Sequence, residues 1–200
     1  MHNFLDSVVK KSLLRKEIWW SLFIVFIMVF SAFGVIFYGF ASPSNKLRYG
    51  EYKFSVVQGG FAVTINNKNY VFQHFPGDLS SINVTSDIIE MLKNTKMLYL
   101  TYNQNQSMVG EIAATEFQFQ SDLQNVGIFG ATALTTPNEY GLPTINCDNA
   151  TRFVPVIDFR EANETAINSQ GNCIILNAAY GEDFSRMTDR LLLGMLGVMK

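Results

Sequence analysis

Histidine and cysteine are scarce in this chain, and their scarcity removes much chemistry. The histidines are His2 and His74, so no His cluster is available to bind zinc or relay protons. The cysteines, Cys147 and Cys173, have no CxxC partner and no nearby histidine. No phosphate loop, GxGxxG, HExxH or GxSxG occurs, so the common nucleotide, metalloprotease and hydrolase signatures are missing. No cofactor is expected. Basic charge is also short: beyond residue 40 there are 11 Lys and Arg against 15 Asp and Glu, a net of −4. Such a domain lacks the basic footprint that a phosphate backbone demands, which excludes nucleic acid as a partner. Low-complexity segments and internal repeats are absent too.

One long stretch lacks charge altogether. Residues 18–40, IWWSLFIVFIMVFSAFGVIFYGF, run for 23 residues without a charged side chain. About 20 apolar helical residues cross a bilayer, so the run predicts a transmembrane helix whose partner is the lipid bilayer. Trp19 and Trp20 at one end and Tyr38 near the other suit the two interfaces. Lys10, Lys11, Arg15 and Lys16 precede the run, and Lys46 and Arg48 follow it. The bias predicts a cytoplasmic N-terminus, a single-pass anchor in the cell membrane and an extracytoplasmic C-terminal domain. A cleaved signal peptide is the rival, with Gly39-Phe40-Ala41 as its cleavage site, but its apolar region is ordinarily shorter. The expected organisation is a basic stub (1–17), a transmembrane helix (18–40), a linker (41–50) and an extracytoplasmic α/β domain (51–200).

In an oxidising compartment, the pair Cys147 and Cys173 reads as a disulfide, with a metal site or a reactive thiol as alternatives. Four Asn-x-Ser/Thr acceptors, Asn83, Asn105, Asn149 and Asn163, lie beyond the apolar run, where glycosylation would take place.

Period-two alternation between turn signals predicts strands at 51–57, 61–65 and 69–75, a three-stranded antiparallel meander within residues 51–75. Residues 86–200 alternate differently. A helix is expected at 87–94, with Asp87 and Glu90 at capping-box spacing, then a buried strand at 97–102. Residues 108–126 carry both patterns: Ile112, Phe119, Leu123 and Val126 at helical spacing, and Phe117 and Phe119 between glutamines as in a strand. Length and the Glu and Gln content favour helix. Strands follow at 127–134, 153–159 and 172–178, then a C-terminal helix with Phe184, Met187, Leu191, Met195 and Val198 on its apolar stripe. Pro155 places the second of these strands at an edge or delays its start. The order implies an α/β or α+β domain whose mixed sheet is joined to the meander.

Two charged groups are candidate sites. Asp158, Arg160 and Glu161 stand at the end of the 153–159 strand, and Asn103 and Asn177 end two others. Ligands of open α/β sheets bind at the carboxyl ends of strands, so Asn103, Asp158, Arg160 and Asn177 are candidate binding residues. The second group, Arg186, Asp189 and Arg190, shares a helix face that reads as solvated, with a carboxylate-binding or partner-binding patch as the alternative.

The segments Cys147-Asp148-Asn149-Ala150-Thr151, Val154-Pro155-Val156-Ile157, Asn172-Cys173-Ile174-Ile175-Leu176 and Asp189-Arg190-Leu191-Leu192 resemble uncharacterised single-pass membrane proteins of archaea with an extracytoplasmic α/β domain. That resemblance implies a place on the outer face of the cell and imports no activity. The expected function is a non-catalytic binding or assembly module. One alternative is a cell-envelope enzyme with a carboxylate site around Asp158 and Asp78 or His74. The other is an accessory subunit of a membrane complex, bound to another membrane or envelope protein.

Overall fold

The computed structural model describes residues 19–30 and 46–200, and the chain divides into two compact units, Met1–Ser44 and Asn45–Lys200. In the first, residues 19–30 form a helix (α1) with every residue exposed. The expected stub (1–17), and the rest of the expected span at residue 18 and from 31 to 40, lie outside the described residues. Among the described residues no helix is long and apolar enough to cross a membrane.

The second unit opens with a four-stranded antiparallel sheet in the order β1 (Lys46–Tyr49), β2 (Tyr52–Val57), β3 (Gly60–Ile65) and β4 (Lys68–Phe72). Asn66 and Asn67 both have positive φ, 51° and 63°, as a two-residue hairpin turn between β3 and β4 requires. Gly60 has no substitute, because a Cβ there would lie 2.0 Å from the Phe72 carbonyl oxygen. Phe54, Val63 and Phe72 bury one face. The expected meander had three strands, and the fourth was assigned to the linker. Lys46-Leu47-Arg48-Tyr49 instead pairs with β2, from Lys46 opposite Ser55 to Tyr49 opposite Tyr52. Its alternation is too short to stand out, and the pairing partner supplies the order.

The chain continues through a 3-10 turn (Pro76–Leu79), α2 (Ser86–Lys93), β5 (Met97–Tyr102), α3 (Val109–Asn125), β6 (Phe129–Leu134), a second 3-10 turn (Cys147–Asn149), β7 (Val156–Glu161), β8 (Ala166–Gln170), β9 (Cys173–Ala178) and α4 (Gly181–Met195). The second sheet has the order β6-β5-β7-β9-β8, parallel except for the antiparallel edge strand β8. The fold is therefore mixed α/β, with one antiparallel and one mixed sheet.

The segment 108–126, which carried both patterns, is helical through α3. Ile112, Thr115, Glu116, Phe119 and Leu123 form its buried stripe, and Phe117 is exposed. α2 starts without a side-chain cap bond, so the capping-box spacing of Asp87 and Glu90 is not used. β7 begins just after Pro155 and lies in the centre of the sheet, so of the two positions open to it the late start applies. β8 lies between the expected strands 153–159 and 172–178, where no strand was expected. Its single inward apolar residue, Ile167, gave little periodicity, and hairpin pairing with β9 orders it.

Alternation gives the five-stranded sheet two unlike faces. Leu98, Leu100, Ile157, Phe159, Ile174 and Leu176 join the main core with residues of α2, α3 and α4. The other face carries Tyr99, Val156, Cys173 and Ile175, covered by Ile145, Cys147 and Ala150 of the β6–β7 connection. α4 is buried from Met187 to Gly194, more than a full turn. A helix enclosed in this way needs protein on both sides. β9 lies on one. His74, just after β4, and Ile82 bond to it on the other.

Candidate functional site

The β5–α3–β6 connection crosses on the helical face and moves one strand outward. The β6–β7 connection crosses on the opposite face and returns past β5. At the carboxyl ends of β5 and β7 the chain therefore diverges, which is where open α/β sheets bind their ligands. A cleft of about 400 Å³ opens there, lined by Asn103, Gln106, Thr135, Asn146 and the β7 residues Asp158 to Glu161. Three of the four candidate binding residues, Asn103, Asp158 and Arg160, line it together. Asn177 lies opposite Arg160 in the β7–β9 register and does not line the cleft. Asp158 and Arg160 were expected at the end of their strand; they lie within β7, which runs on to Glu161.

Asp158 is 3% exposed, and Arg160 holds it. The Arg160 Nε–H donates to Asp158 Oδ2 at 2.8 Å, and its Nη2 lies 2.6 Å from the same oxygen. Burial pushes the Asp158 carboxyl above its ordinary pKa, and the guanidinium pulls it part of the way back. Arg160 Nη2 also lies 3.4 Å from Cys147 Sγ. Glu161 is used differently. One of its carboxylate oxygens accepts the backbone N–H of Met108, which precedes α3, and the other accepts the Ser107 hydroxyl at 3.1 Å. A carboxylate at a helix N-terminus is favoured by the unpaired N–H groups and the dipole. The place where a doubly wound fold seats a ligand phosphate is thus filled by the chain's own acid.

Hydrogen bonds fix which groups of the cleft remain free. The Asn103 side-chain oxygen accepts the Asn105 N–H at 3.0 Å, and the Asn146 oxygen accepts the Asp148 N–H at 2.9 Å. A backbone donor on each oxygen settles both amide orientations. The NH2 groups of Asn103 and Asn146, and Nη1 of Arg160, have no acceptor among the described residues. Gln106 is fully engaged: it donates to the Phe159 carbonyl at 3.1 Å and accepts from the Glu161 N–H at 2.6 Å. The free nitrogens are donors, and beside them Asp158 Oδ1 and the Thr135 hydroxyl, also without a partner among the described residues, can accept.

Gln106, Thr135 and Asn146 were not anticipated. Asn146 carried a weak local signal, the reciprocal Asn146–Asn149 capping box, in which Asn149 accepts the Asn146 N–H at 2.9 Å. Cys147 and Cys173 form the expected disulfide, with Cα atoms 5.2 Å apart. Asn83, Asn105, Asn149 and Asn163 are all exposed.

The carboxylate constellation expected around Asp158, Asp78 and His74 does not assemble. Asp158 faces away from the helices, whereas His74 sits against α4, donating its backbone N–H to Asp189 Oδ2 at 2.9 Å with its ring Nδ1 3.0 Å from that oxygen. Asp78 lies beside His74's side of α4, its carbonyl accepting Arg186 at 3.2 Å. The expected solvated face of Arg186, Asp189 and Arg190 is corrected as well. Asp189 and Arg190 are buried, and Arg190 donates to the carbonyls of Ile82 and Lys200 at 3.1 and 2.8 Å. Burial lowers the Arg190 pKa. These charges brace α4 against the segments around it. Among the described residues no group of three or more His, Cys, Asp and Glu could hold a metal ion. Comparison with family models, with curated proteins and with solved structures gave no match.

Proposed function

We propose that this chain is a membrane-tethered binding module with its α/β domain on the extracytoplasmic side, and that the cleft between β5 and β7 is its ligand site. One observation carries the reading: the cleft presents free donors, on Asn103, Asn146 and the outer nitrogen of Arg160, beside free acceptors, Asp158 Oδ1 and the Thr135 hydroxyl. They call for a ligand rich in hydroxyl or carbonyl oxygen. The Asp158–Arg160 pair is neutral, and Glu161 occupies the α3 N-terminus, so a phosphate would meet a carboxylate. A small uncharged saccharide fits these requirements, and about 400 Å³ lies within the range of small-molecule sites. The module is non-catalytic on this reading, because no cleft residue pairs a nucleophile with a base. The uncharged run at 18–40 and the disulfide support the tether and the oxidising compartment.

The test is calorimetric titration of the detergent-solubilised full chain with a panel of neutral mono- and disaccharides, alongside inorganic phosphate. Saturable binding of a saccharide, abolished by Asn103→Ala with Asn146→Ala, is expected. Binding of phosphate alone, or saccharide binding indifferent to both substitutions, refutes it. A second reading, an accessory subunit of a membrane complex, is favoured by Phe153, which is 82% exposed and lines a groove of about 950 Å³ with Met91 and Arg152.

A further inference from the structure

We propose that the outer face of the β1–β4 sheet is a contact surface for an anionic lipid bilayer, a proposal that rests on the membrane-tether reading for how the face is brought there. Register defines the face. Lys46 lies opposite Ser55 and Arg48 opposite Lys53, so Lys46, Arg48 and Lys53 project from one side. Ser55 lies opposite Ala62, and Ala62 opposite Val71, which carries that side across the sheet. Phe54 and Val63, paired with each other, bury the other side. The three cations are exposed, and the face between them and Val71 carries no acid at all. None of the three forms an ion pair with a described residue. Arg48 directly opposite Lys53 is a like-charge pair, an arrangement that costs stability in water and is relieved by an anionic partner. Exposed Val57 and Val71 add apolar area beside the charges.

The charge distribution of the whole unit gives the face a direction. Residues 46–73 hold four Lys and Arg against one acid, net +3, whereas residues 74–200 hold seven against fourteen, net −7. An anionic surface attracts the first part and repels the second, so it selects this orientation over its reverse. Chain length brings the face close enough. Five residues separate Phe40, the last of the uncharged run, from Lys46. At full extension they reach about 18 Å, within roughly two Debye lengths at ~0.1 M salt. Each basic residue near such a surface favours contact by about fivefold.

The test uses the full-length chain in nanodiscs of phosphatidylcholine, with and without phosphatidylglycerol, pulsed with a water-soluble amine-acylating reagent and read by mass spectrometry. Acylation of Lys46 and Lys53 is expected to slow by about fivefold or more in the anionic discs. Lys93 and Lys96, in the α/β part, should react equally in both. High salt should abolish the difference, and Arg48→Glu should weaken it with an unchanged circular dichroism spectrum. Equal rates at Lys46 and Lys53 in the two discs, or uniform slowing of all four lysines, overturn the proposal while leaving the tether intact. If the chain fails to enter discs and is released from membranes by alkaline carbonate, it is the tether reading that fails. The same labelling against preformed vesicles of both compositions then decides the surface by the same criterion.

Discussion

Replacing Glu116 by glutamine removes a pH-dependent burden that the fold carries at neutral pH. Glu116 lies on the buried stripe of α3, 3% exposed, and its Oε1 accepts no hydrogen bond from a described residue. Burial raises its pKa from 4.5 to about 7, with Thr132 and Gln120 beside it opposing the shift. The folded state therefore holds this proton more tightly than the unfolded chain. Stability from Glu116 is complete below pH 4.5 and is lost as pH rises through about 7. A difference of about 2.5 units at ~1.4 kcal/mol per unit makes the loss roughly 3 kcal/mol by pH 8. Glutamine cannot ionise, so Glu116→Gln is expected to match the parent at pH 5 and to exceed it by about 2–3 kcal/mol at pH 8. For a domain of this size that is roughly 5–12 °C in Tm. Both tryptophans, Trp19 and Trp20, lie in the first unit, so the readout is far-ultraviolet circular dichroism during urea unfolding, not indole emission. Other buried acids titrate in parent and variant alike, so the quantity to follow is the difference between the two from pH 5 to 8.5. A difference independent of pH, or a variant weaker than the parent at pH 8, refutes the reasoning.

Three further outcomes follow from the same packing. Cys147→Ser, which opens a loop of sequence separation 26, should cost about 3–4 kcal/mol in urea unfolding, and the unreduced, denatured parent should show no free thiol. Arg160→Met leaves Asp158 buried without its partner and should cost about 3–5 kcal/mol, of which the double variant with Asp158→Leu recovers most; additive losses in that cycle would contradict the ion-pair account. Asp189→Ala strands both the backbone N–H and the ring of His74 and should destabilise by about 2–3 kcal/mol. His74→Ala should cost less, because it keeps the backbone N–H at that position on Asp189; equal losses would dissociate Asp189 from this role.

Much of the fold was legible in the chain because apolar periodicity reports one-sided burial. β2, β3, β5, β9 and the stripe of α4 all announce themselves in this way. The failures share a cause: partners outside the segment itself supplied the order. β1 and β8 are edge strands with few inward apolar residues, and hairpin pairing makes them. α4 is enclosed around its circumference, yet Asp183, Asp189 and Arg190 look like solvent-facing residues to any periodicity argument. Their burial depends on His74, Ile82, Thr165 and Lys200, which converge on the helix from four separate segments. The cleft divides along the same line. Asn103, Asp158 and Arg160 stand where strand ends point to a site, whereas Thr135 and Asn146 arrive with the β6–β7 connection, whose path no local pattern encodes.

That connection also explains the position of the disulfide. A parallel crossover is ordinarily a helix, which satisfies its own backbone and buries an apolar stripe against the sheet. Residues 135–155 contain a single 3-10 turn and no α-helix, and they set Ile145, Cys147 and Ala150 against Tyr99, Val156 and Ile175. So small a contact stabilises weakly against the conformational entropy of about twenty ordered residues. Local bonds offset part of this. Thr101 donates to the Ile145 carbonyl at 2.8 Å. The Leu134 N–H donates to the Pro143 carbonyl at 3.0 Å, and the Ile145 N–H to the Leu134 carbonyl at 2.9 Å. The Cys147–Cys173 bond supplies the remainder by tying the connection to the first residue of β9. It thereby holds Asn146 at the cleft and Cys147 Sγ within 3.4 Å of the Arg160 guanidinium. A crossover built without a helix is stable where disulfides persist, and the cleft inherits that condition.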